Sequence, residues 1–245
     1  DHRDLHSFPT RRSSDLSNLD TSNVTSMGKM FNDCKALKSL DLSNFDTSAV
    51  IDMGYMFTGC EALTSLNVSN FNTSNVTDMT WMFRNCYALT SLYLSNFNTS
   101  NVTNMKEMFS NCYKLTSLDL SNFDTPNVVD MTGMFNGCRA LVSLDVSSFD
   151  TSEVREMGYM FSNCLALASL DLSNFDTSNA RNMWEMFRDC KSLTLIYVGS
   201  GWNTAMVHLS EGMFENCTKL TNFDSSVVDK TNAHTGNGGY LTLKT

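Results

Sequence analysis

A cysteine recurs at a nearly fixed interval along most of this chain, and this regularity constrains the fold more than any other feature. Every gap between successive cysteines is 26 residues except the last, which is 27. The eight cysteines are Cys34, Cys60, Cys86, Cys112, Cys138, Cys164, Cys190 and Cys217. A fixed period between about 20 and 50 residues is typical of solenoids, in which each unit buries its apolar face only against its neighbours. The sequence therefore predicts one elongated repeat domain, over residues 15–223.

The spacing of apolar residues changes within each unit and indicates two kinds of element. In the unit 67–92, apolar residues from Val76 to Cys86 follow steps of three and four, which predicts one face of a short helix or helical turn. Leu66 and Val68 instead alternate with polar neighbours, as in a half-buried strand. We therefore expect an α/β repeat solenoid with one short strand and one short helix or helical turn per unit.

The full apolar pattern of a unit is specific enough to indicate a family. It reads Phe57-x-x-Cys60-x-x-Leu63-x-x-Leu66-x-Val68-x-x-Phe71, then Val76-x-x-Met79 and Met82-Phe83. This repeat resembles the BspA-like, treponemal-type leucine-rich repeats of bacterial surface proteins, in their 26-residue form. The resemblance implies a horseshoe or gently curved rod displayed outside the cell, and it implies no catalysis.

One departure from the familiar leucine-rich pattern concerns the turn after the strand. That pattern has Asn or Cys about two residues beyond the last apolar strand position. Here the aromatic Phe71 stands three residues beyond Val68. We therefore expect an aromatic plug instead of an Asn ladder at this turn.

The regularly placed sulfur-containing residues are interpreted as core. Equivalent cysteines on stacked units lie farther apart than the roughly 3.5–4.5 Å between Cβ atoms that a disulfide requires, so reduced, buried thiols are expected. Of the 16 methionines, 14 occupy two positions of the predicted helix, where filling the core is a simpler role than a binding surface or a thioether metal site. No Cys-x-x-Cys motif occurs, and no metal or cofactor site is predicted.

Several classes of function lack a signature in this sequence. There is no Gly-rich phosphate loop, no His-Glu-x-x-His and no Gly-x-Ser-x-Gly, so no enzyme is predicted. One position of the repeat is usually Asp, but some units have Asn there instead, as at Asn72 and Asn98. This exchange favours turn capping over catalysis or calcium binding. The net charge of −9 and the lack of a basic stripe in the repeats argue against a nucleic-acid partner. No apolar run is long enough for this segment to insert into a membrane.

Positions that vary between units are the candidates for recognition, because the constant positions are used for packing. The candidate ligand patch is a set of aromatic residues expected on neighbouring units: Tyr55, Trp81, Tyr87 and Tyr113. Adjacent exposed rings can stack on sugars or anchor a protein partner. A role in shielding the joints between repeats is an equally valid interpretation. The alternative is a strand-face patch made of Asn67, Tyr93, Asp119 and Asp145.

The two ends of the chain depart from the repeat. Residues 1–14 resemble translated sequencing-adaptor read-through and are treated as a non-native leader. Residues 224–245 are expected to form a C-terminal cap or tail, with Tyr240 and Leu241 covering the last apolar face.

These observations favour a secreted or surface-displayed interaction module that binds a host protein, a glycan or another cell in an adhesin-like way. The alternative is a passive structural spacer in a larger cell-surface protein. The sequence does not identify the ligand, the binding face or the oligomeric state.

Overall fold

The computed structural model describes residues 16 and 19–244, and over this region the predicted repeat is the physical coil of a solenoid. Parallel β-bridges join equivalent residues of successive coils. The bridged residues are Ser26, Asp52, Asp78, Asn104, Asp130, Glu156, Asn182 and Leu209. Each coil therefore stacks directly on the next, and the solenoid class is confirmed.

Short parallel strands lie on one side of the coils. Strand β1 (Ser65–Asn67) pairs with β2 (Ser91–Tyr93) in a two-stranded sheet. Strands β3 (Ser169–Leu172), β4 (Leu195–Val198) and β5 (Thr242–Leu243) form a second, three-stranded sheet in that order. The pairing is in register, so residues 26 apart face each other in β1 and β2.

The predicted alternation of the strands is confirmed by their burial. Leu66 is buried, whereas Ser65 and Asn67 on either side of it are exposed. Segments 117–120 and 143–146, which lie between the two sheets, keep this alternation of buried and exposed residues without forming regular strands. The inward leucine rows therefore continue where strand pairing does not.

Of the two predicted alternatives, a short helix or a helical turn, the short helix is wrong. Within residues 19–244 there is no α-helix, and the one regular helical element is a short 3-10 helix, Lys230–Asn232. Tight turns replace the helix, and two residues between Val76 and Cys86 have positive φ, with Trp81 at 58° and Asn85 at 62°. A right-handed helix cannot continue through residues in the left-handed region. No helix in this region is long and apolar enough to span a membrane.

These turns are joined to the next coil by backbone hydrogen bonds. Every second N–H from Met79 to Asn85 donates to a carbonyl of the following coil, at 2.8–3.1 Å. The intervening groups close turns within the coil, as when the N–H of Met82 donates to the carbonyl of Met79. The expected helix face is nevertheless buried, because the turns also direct their apolar side chains inward.

The core between the strands and the turns is a set of stacked rows. One row is a nearly parallel stack of phenyl rings whose centroids are 5.4–5.8 Å apart. It consists of Phe31, Phe57, Phe83, Phe109, Phe135, Phe161, Phe187 and Phe214. The 14 repeat methionines are buried beside it, which confirms their interpretation as core.

The cysteine row is also buried, and all eight cysteines are free. The thiol of Cys112 donates to the carbonyl of Phe83 on the preceding coil, with Sγ 3.3 Å from the oxygen. The same bond recurs from Cys60 to Cys217. Burial raises the pKa of Cys86 and Cys138 to about 12.

The turn after the strand contains both an aromatic plug and polar ladders. Phe71 is fully buried, but Asn70 donates from Nδ2 to the carbonyl of Leu42 on the preceding coil. The expectation of a plug instead of an Asn ladder is therefore wrong. The buried hydroxyl of Thr73 donates to the carbonyl of Asn98 and accepts from its N–H, both at 2.8 Å. The short Asn and Thr side chains satisfy backbone groups that the ring cannot reach.

At the C-terminus, the structure places Tyr240 and Leu241 in buried positions. The ring of Tyr240 meets Phe214 edge-on at 5.1 Å and so covers the end of the phenylalanine stack. Its hydroxyl donates to the carbonyl of Val227 at 2.8 Å. The predicted leader, residues 1–14, lies outside the described residues.

Candidate functional site

Each coil presents three outer faces, which position the candidate residues. The strand face carries the outward residues of the strand segment, such as Ser65 and Asn67. The bridge face carries residues 49 and 51 and their equivalents, beside the parallel bridges. The turn face carries the residues with positive φ and their neighbours, including Tyr55 and Trp81.

The first aromatic pair lies in a row of left-handed residues on the turn face. In the first seven coils this row lies between the two buried methionines, and in the last coil it lies between Ser210 and Met213. Its φ values run from 48° to 64°. Its members are Lys29, Tyr55, Trp81, Glu107, Gly133, Tyr159, Glu185 and Gly212. Bulky side chains are uncommon at positive φ, since the side chain approaches the following carbonyl.

Tyr55 and Trp81 belong to a larger set of contacts that we call the turn-face cluster. Their ring centroids are 4.8 Å apart and tilted by 50°. Lys29 Nζ is 5.1 Å from the centre of the Tyr55 ring, and the guanidinium of Arg84 lies 4.1 Å from the Trp81 ring. Arg84 also forms an ion pair with Glu107, with Nε 2.6 Å from Oε2. These five side chains link four successive coils.

Two donors, one in this cluster and one on the residue before Trp81, lack a hydrogen-bond partner within the described residues. They are the indole Nε1 of Trp81 and the hydroxyl of Thr80, and both atoms are covered. Buried polar groups in folded proteins usually have a partner, so each exception is a possible contact for a ligand. The guanidinium of Arg84 lies over the ring of this indole.

The second aromatic pair lies beyond the cysteine of each coil. The rings of Tyr87 and Tyr113 are stacked, with centroids 4.9 Å apart and an interplanar angle of 9°. The guanidinium of Arg139, on the next coil, lies 4.4 Å from the centre of the Tyr113 ring. Three coils thus contribute one side chain each to a cation–π stack.

The structure brings the four candidate aromatic residues together as two pairs. Ring contacts occur within each pair, between Tyr55 and Trp81 and between Tyr87 and Tyr113, but in the described part of the chain none connects one pair to the other. All four residues are half-buried, whereas the sequence predicted exposed rings. The difference arises because stacked neighbours and arginines cover part of each ring.

The alternative strand-face patch is more open and less aromatic. Asn67 and Tyr93 face each other in register, and Tyr93 is 56% exposed. Asp119 and Asp145 are exposed, and each accepts hydrogen bonds from the serine two residues further on, which lower the pKa of both carboxyls. These carboxylates therefore support turns, and the patch offers a single ring.

A third aromatic pair was missed by the comparison of equivalent positions. Tyr159 and Trp184 lie on neighbouring coils with ring centroids 5.6 Å apart, and Trp184 is 41% exposed. Trp184 stands one residue before the left-handed row, at the position that Gly158 occupies in its own coil. Because the two rings are not at equivalent positions, a row-by-row comparison does not pair them.

The solved structures that are similar to this chain include two leucine-rich proteins. A leucine-rich repeat protein from Bacteroides ovatus is 18% identical at a TM-score of 0.35, with 81% of this chain and 63% of that chain covered. A leucine rich cell surface protein from Faecalibacterium prausnitzii is 17% identical at a TM-score of 0.25, with 79% of this chain and 74% of that chain covered. This chain thus spans less than two thirds of the Bacteroides protein, and likenesses this weak do not bear on function.

The repeat itself is matched by a protein family model. No curated protein matches the sequence. The family matches overlap and extend along nearly the whole chain, over residues 4–117, 60–143 and 114–228. They fit the 26-residue repeat form, and the resemblance to BspA-like leucine-rich repeats is confirmed. The chain therefore belongs to the family described as Mycoplasma protein of unknown function, DUF285.

Proposed function

We propose that this chain is a surface-displayed interaction module that binds a host protein or glycan through the turn-face cluster and catalyses no reaction. The supporting observation is the row of left-handed residues. Gly133 and Gly212 occupy this row without a side chain, yet Tyr55 and Trp81 stand in it despite the backbone cost of a bulky residue at positive φ. Residues in strained backbone conformations are held by the surrounding structure and cluster at functional sites.

The chemistry of the cluster fits a partner that presents a flat apolar surface beside polar groups. Tyr55 and Trp81 provide adjoining ring surface, which suits the apolar face of a sugar or an aromatic side chain of a protein. Lys29 and Glu107 place opposite charges at the two ends of the cluster. A partner that uncovers the indole N–H of Trp81 would also gain it as a donor.

The test uses a substitution that the chain itself tolerates in this row. The double variant Tyr55→Gly/Trp81→Gly removes both rings and leaves glycine, the residue already present at 133 and 212. We expect the thermal midpoint to change little, because relief of backbone strain offsets the lost ring contacts. Binding to immobilised host matrix proteins, to a glycan array or to host cells should fall at least tenfold.

A matched control changes the second aromatic pair, again to residues that the repeat accepts. Tyr87→Lys/Tyr113→Lys uses the residue found at the equivalent positions 35 and 191. Binding that survives this change but not the glycine variant would localise recognition to the turn-face cluster. Full binding by the glycine variant would contradict the proposal, and loss in the control alone would move the site to the tyrosine pair.

The alternative function is a passive spacer that holds other modules away from the cell. It is favoured by the turns of the outer surface, where Asp or Asn side chains accept the N–H two residues further on in coil after coil, as Asp46 does from Ser48. Such a surface is uniform and polar. A spacer should show no saturable binding in any of these assays, with or without the substitutions.

A further inference from the structure

The bridge face changes its chemistry abruptly in the last third of the solenoid. One outward position occurs once in every coil and is exposed in all of them. Its occupants along the chain are Thr25, Ile51, Thr77, Thr103, Val129, Arg155, Arg181 and His208. Five uncharged residues are thus followed by two arginines and a histidine. The sequence-based expectation that the repeats contain no basic stripe is wrong for these three coils.

The backbone places these three side chains in a direct line. The N–H of Arg181 donates to the carbonyl of Arg155 at 2.9 Å, and the N–H of His208 donates to the carbonyl of Arg181 at 2.8 Å. The three residues therefore occupy one parallel ladder, in which neighbouring strands are about 4.8 Å apart. We call Arg155, Arg181 and His208 the basic row.

The two guanidinium groups of the basic row form no ion pair within the described residues, although an acidic residue stands two positions before Arg155 on the same face. Of the five arginines within residues 19–244, Arg84 and Arg188 form ion pairs and Arg139 lies over a tyrosine ring. Arg155 and Arg181 make neither an ion pair nor a ring contact in this region. Like charges directly opposite each other on neighbouring strands destabilise a sheet. Retaining two of them unpaired, in a chain of net charge −9, indicates a use outside the fold.

Exposed aromatic and apolar residues occur on the coils that carry the basic row. The Tyr159–Trp184 pair joins the coils that carry Arg155 and Arg181, and Trp184 is 41% exposed. Met206, two residues before His208, is 49% exposed. The last coils therefore combine cations at regular spacing with a ring that a sugar can stack against.

From this arrangement we propose that the basic row is a binding site for an acidic polysaccharide that carries carboxylate groups. Guanidinium groups bind carboxylates through paired hydrogen bonds, and Arg155 and Arg181 offer one such group on each coil. Trp184, which is exposed on the coil that carries Arg181, offers a ring for a sugar face. The open ladder, with one basic residue per coil, suits a linear polymer.

The test measures binding of the folded protein to polygalacturonate, with uncharged dextran as the reference polymer. The variant Arg155→Thr/Arg181→Thr restores the residue found at Thr77 and Thr103, so the coil should keep its fold. We expect at least a tenfold loss of polygalacturonate binding at low ionic strength, with an unchanged thermal midpoint. Wild-type binding should also weaken as salt is raised, since exposed charges are screened.

A control variant removes the same charge elsewhere on the solenoid. Lys106→Thr/Lys114→Ala replaces two lysines with residues that equivalent positions contain, such as Thr80 and Ala88. This control should bind polygalacturonate as the wild type does. An equal loss of binding in both double variants would show that net charge alone causes the effect, and it would contradict the proposed site. Full binding by the arginine variant would overturn it as well.

Two further results distinguish a polysaccharide site from a lipid or nucleic-acid site and from the turn-face cluster. Binding to phosphatidylserine vesicles but not to polygalacturonate would assign the basic row to a lipid surface and overturn the proposal, as would a preference for single-stranded DNA. The Tyr55→Gly/Trp81→Gly variant should retain polygalacturonate binding, because the basic row and the turn-face cluster lie on different faces and coils. Failure of one proposal is therefore distinguishable from failure of the other.

Discussion

The turn face and the strand face belong to the same repeat but are held together differently. On the turn face, four N–H groups of each coil donate to the next coil, and this set recurs at all seven steps from Met27–Asp33 to Met183–Asp189. On the strand face, pairing forms two separate sheets, and segments 117–120 and 143–146 lie unpaired between them. The continuous ladder of this solenoid thus runs through its turns. The strand face has the clearer strand pattern in the sequence, yet its hydrogen bonding between coils is the less continuous.

Alkaline pH should produce the largest loss of stability, and it should act through the turn side, where the cysteines lie. Burial raises the pKa of Cys86, Cys138 and Cys217 to about 12, so the folded thiols stay neutral while those of the unfolded chain ionise. Their stabilising effect is complete below about pH 8.5 and is lost as pH rises towards the folded value, at about 1.4 kcal/mol per pH unit for each thiol. Thermal melts between pH 7 and 10.5 measure this loss.

A matched variant isolates the thiols from other alkaline effects. Cys86→Ala/Cys138→Ala should be less stable than the wild type at neutral pH but should lose stability less steeply above pH 9. Parallel slopes for the two proteins would show that the buried thiols do not govern alkaline unfolding.

The next largest effect compares core residues beneath the two faces. Phe109→Ala removes a fully buried ring from the turn-side stack and should destabilise the protein by about 3–5 kcal/mol. Leu118→Ala, beneath an unpaired part of the strand face, should cost about 2 kcal/mol, because Leu118 is already slightly exposed and the site can adjust. Urea unfolding followed by circular dichroism provides both values. Equal losses would mean that the two sides are equally rigid.

A smaller effect tests the left-handed residues that precede each cysteine. Gly137 has φ of +74°, and a Cβ there would lie 2.5 Å from the side chain of Asn111. Gly137→Ala should therefore cost about 1–2 kcal/mol from the left-handed backbone alone. Gly137→Asn should cost less, since Asn tolerates this conformation and occupies it at 85 and 111. Chemical denaturation of the two variants decides the order, and an alanine variant as stable as the wild type would refute the role of positive φ.

The core could be predicted from sequence because burial follows the repeat. The period of 26 residues placed Phe109, Cys112 and Leu118 in inward rows, and all three are buried. The local backbone could not be predicted in the same way, because steps of three and four residues fit both a helix and a series of tight turns. A signal for the turns was present in the residue before each cysteine, which is always Asp, Asn or Gly. These residues adopt positive φ most readily.

At the candidate sites too, contacts between equivalent positions of successive coils could be predicted, whereas contacts between different positions could not. Comparison of equivalent positions predicted the contacts of Tyr55 with Trp81 and of Tyr87 with Tyr113, because a coil repeats its side chains at a fixed rise. It did not predict that Arg84 covers Trp81, since that contact joins different positions of one coil. Net charge likewise concealed the basic row, because an average over the whole chain carries no information about three adjacent coils.

Acid should produce the smallest effect, and it should act through the strand face. Hydrogen bonds from the side chain and backbone N–H of the serine two residues further on lower the pKa of Asp119 and of Asp145. The contribution of these carboxylates is therefore complete above the ordinary aspartate value near 4 and is lost as pH falls through the lowered folded values. Asp119→Asn/Asp145→Asn keeps an acceptor for the turn, as Asn67 does at the equivalent position, and should flatten the fall in thermal midpoint between pH 5 and 3. Hydrogen exchange should place the acid-induced opening at residues 117–120 and 143–146 before the turn face responds. Opening that starts at the turn face would show that the ladder of turns, rather than the strand face, is the weaker side of the solenoid in acid.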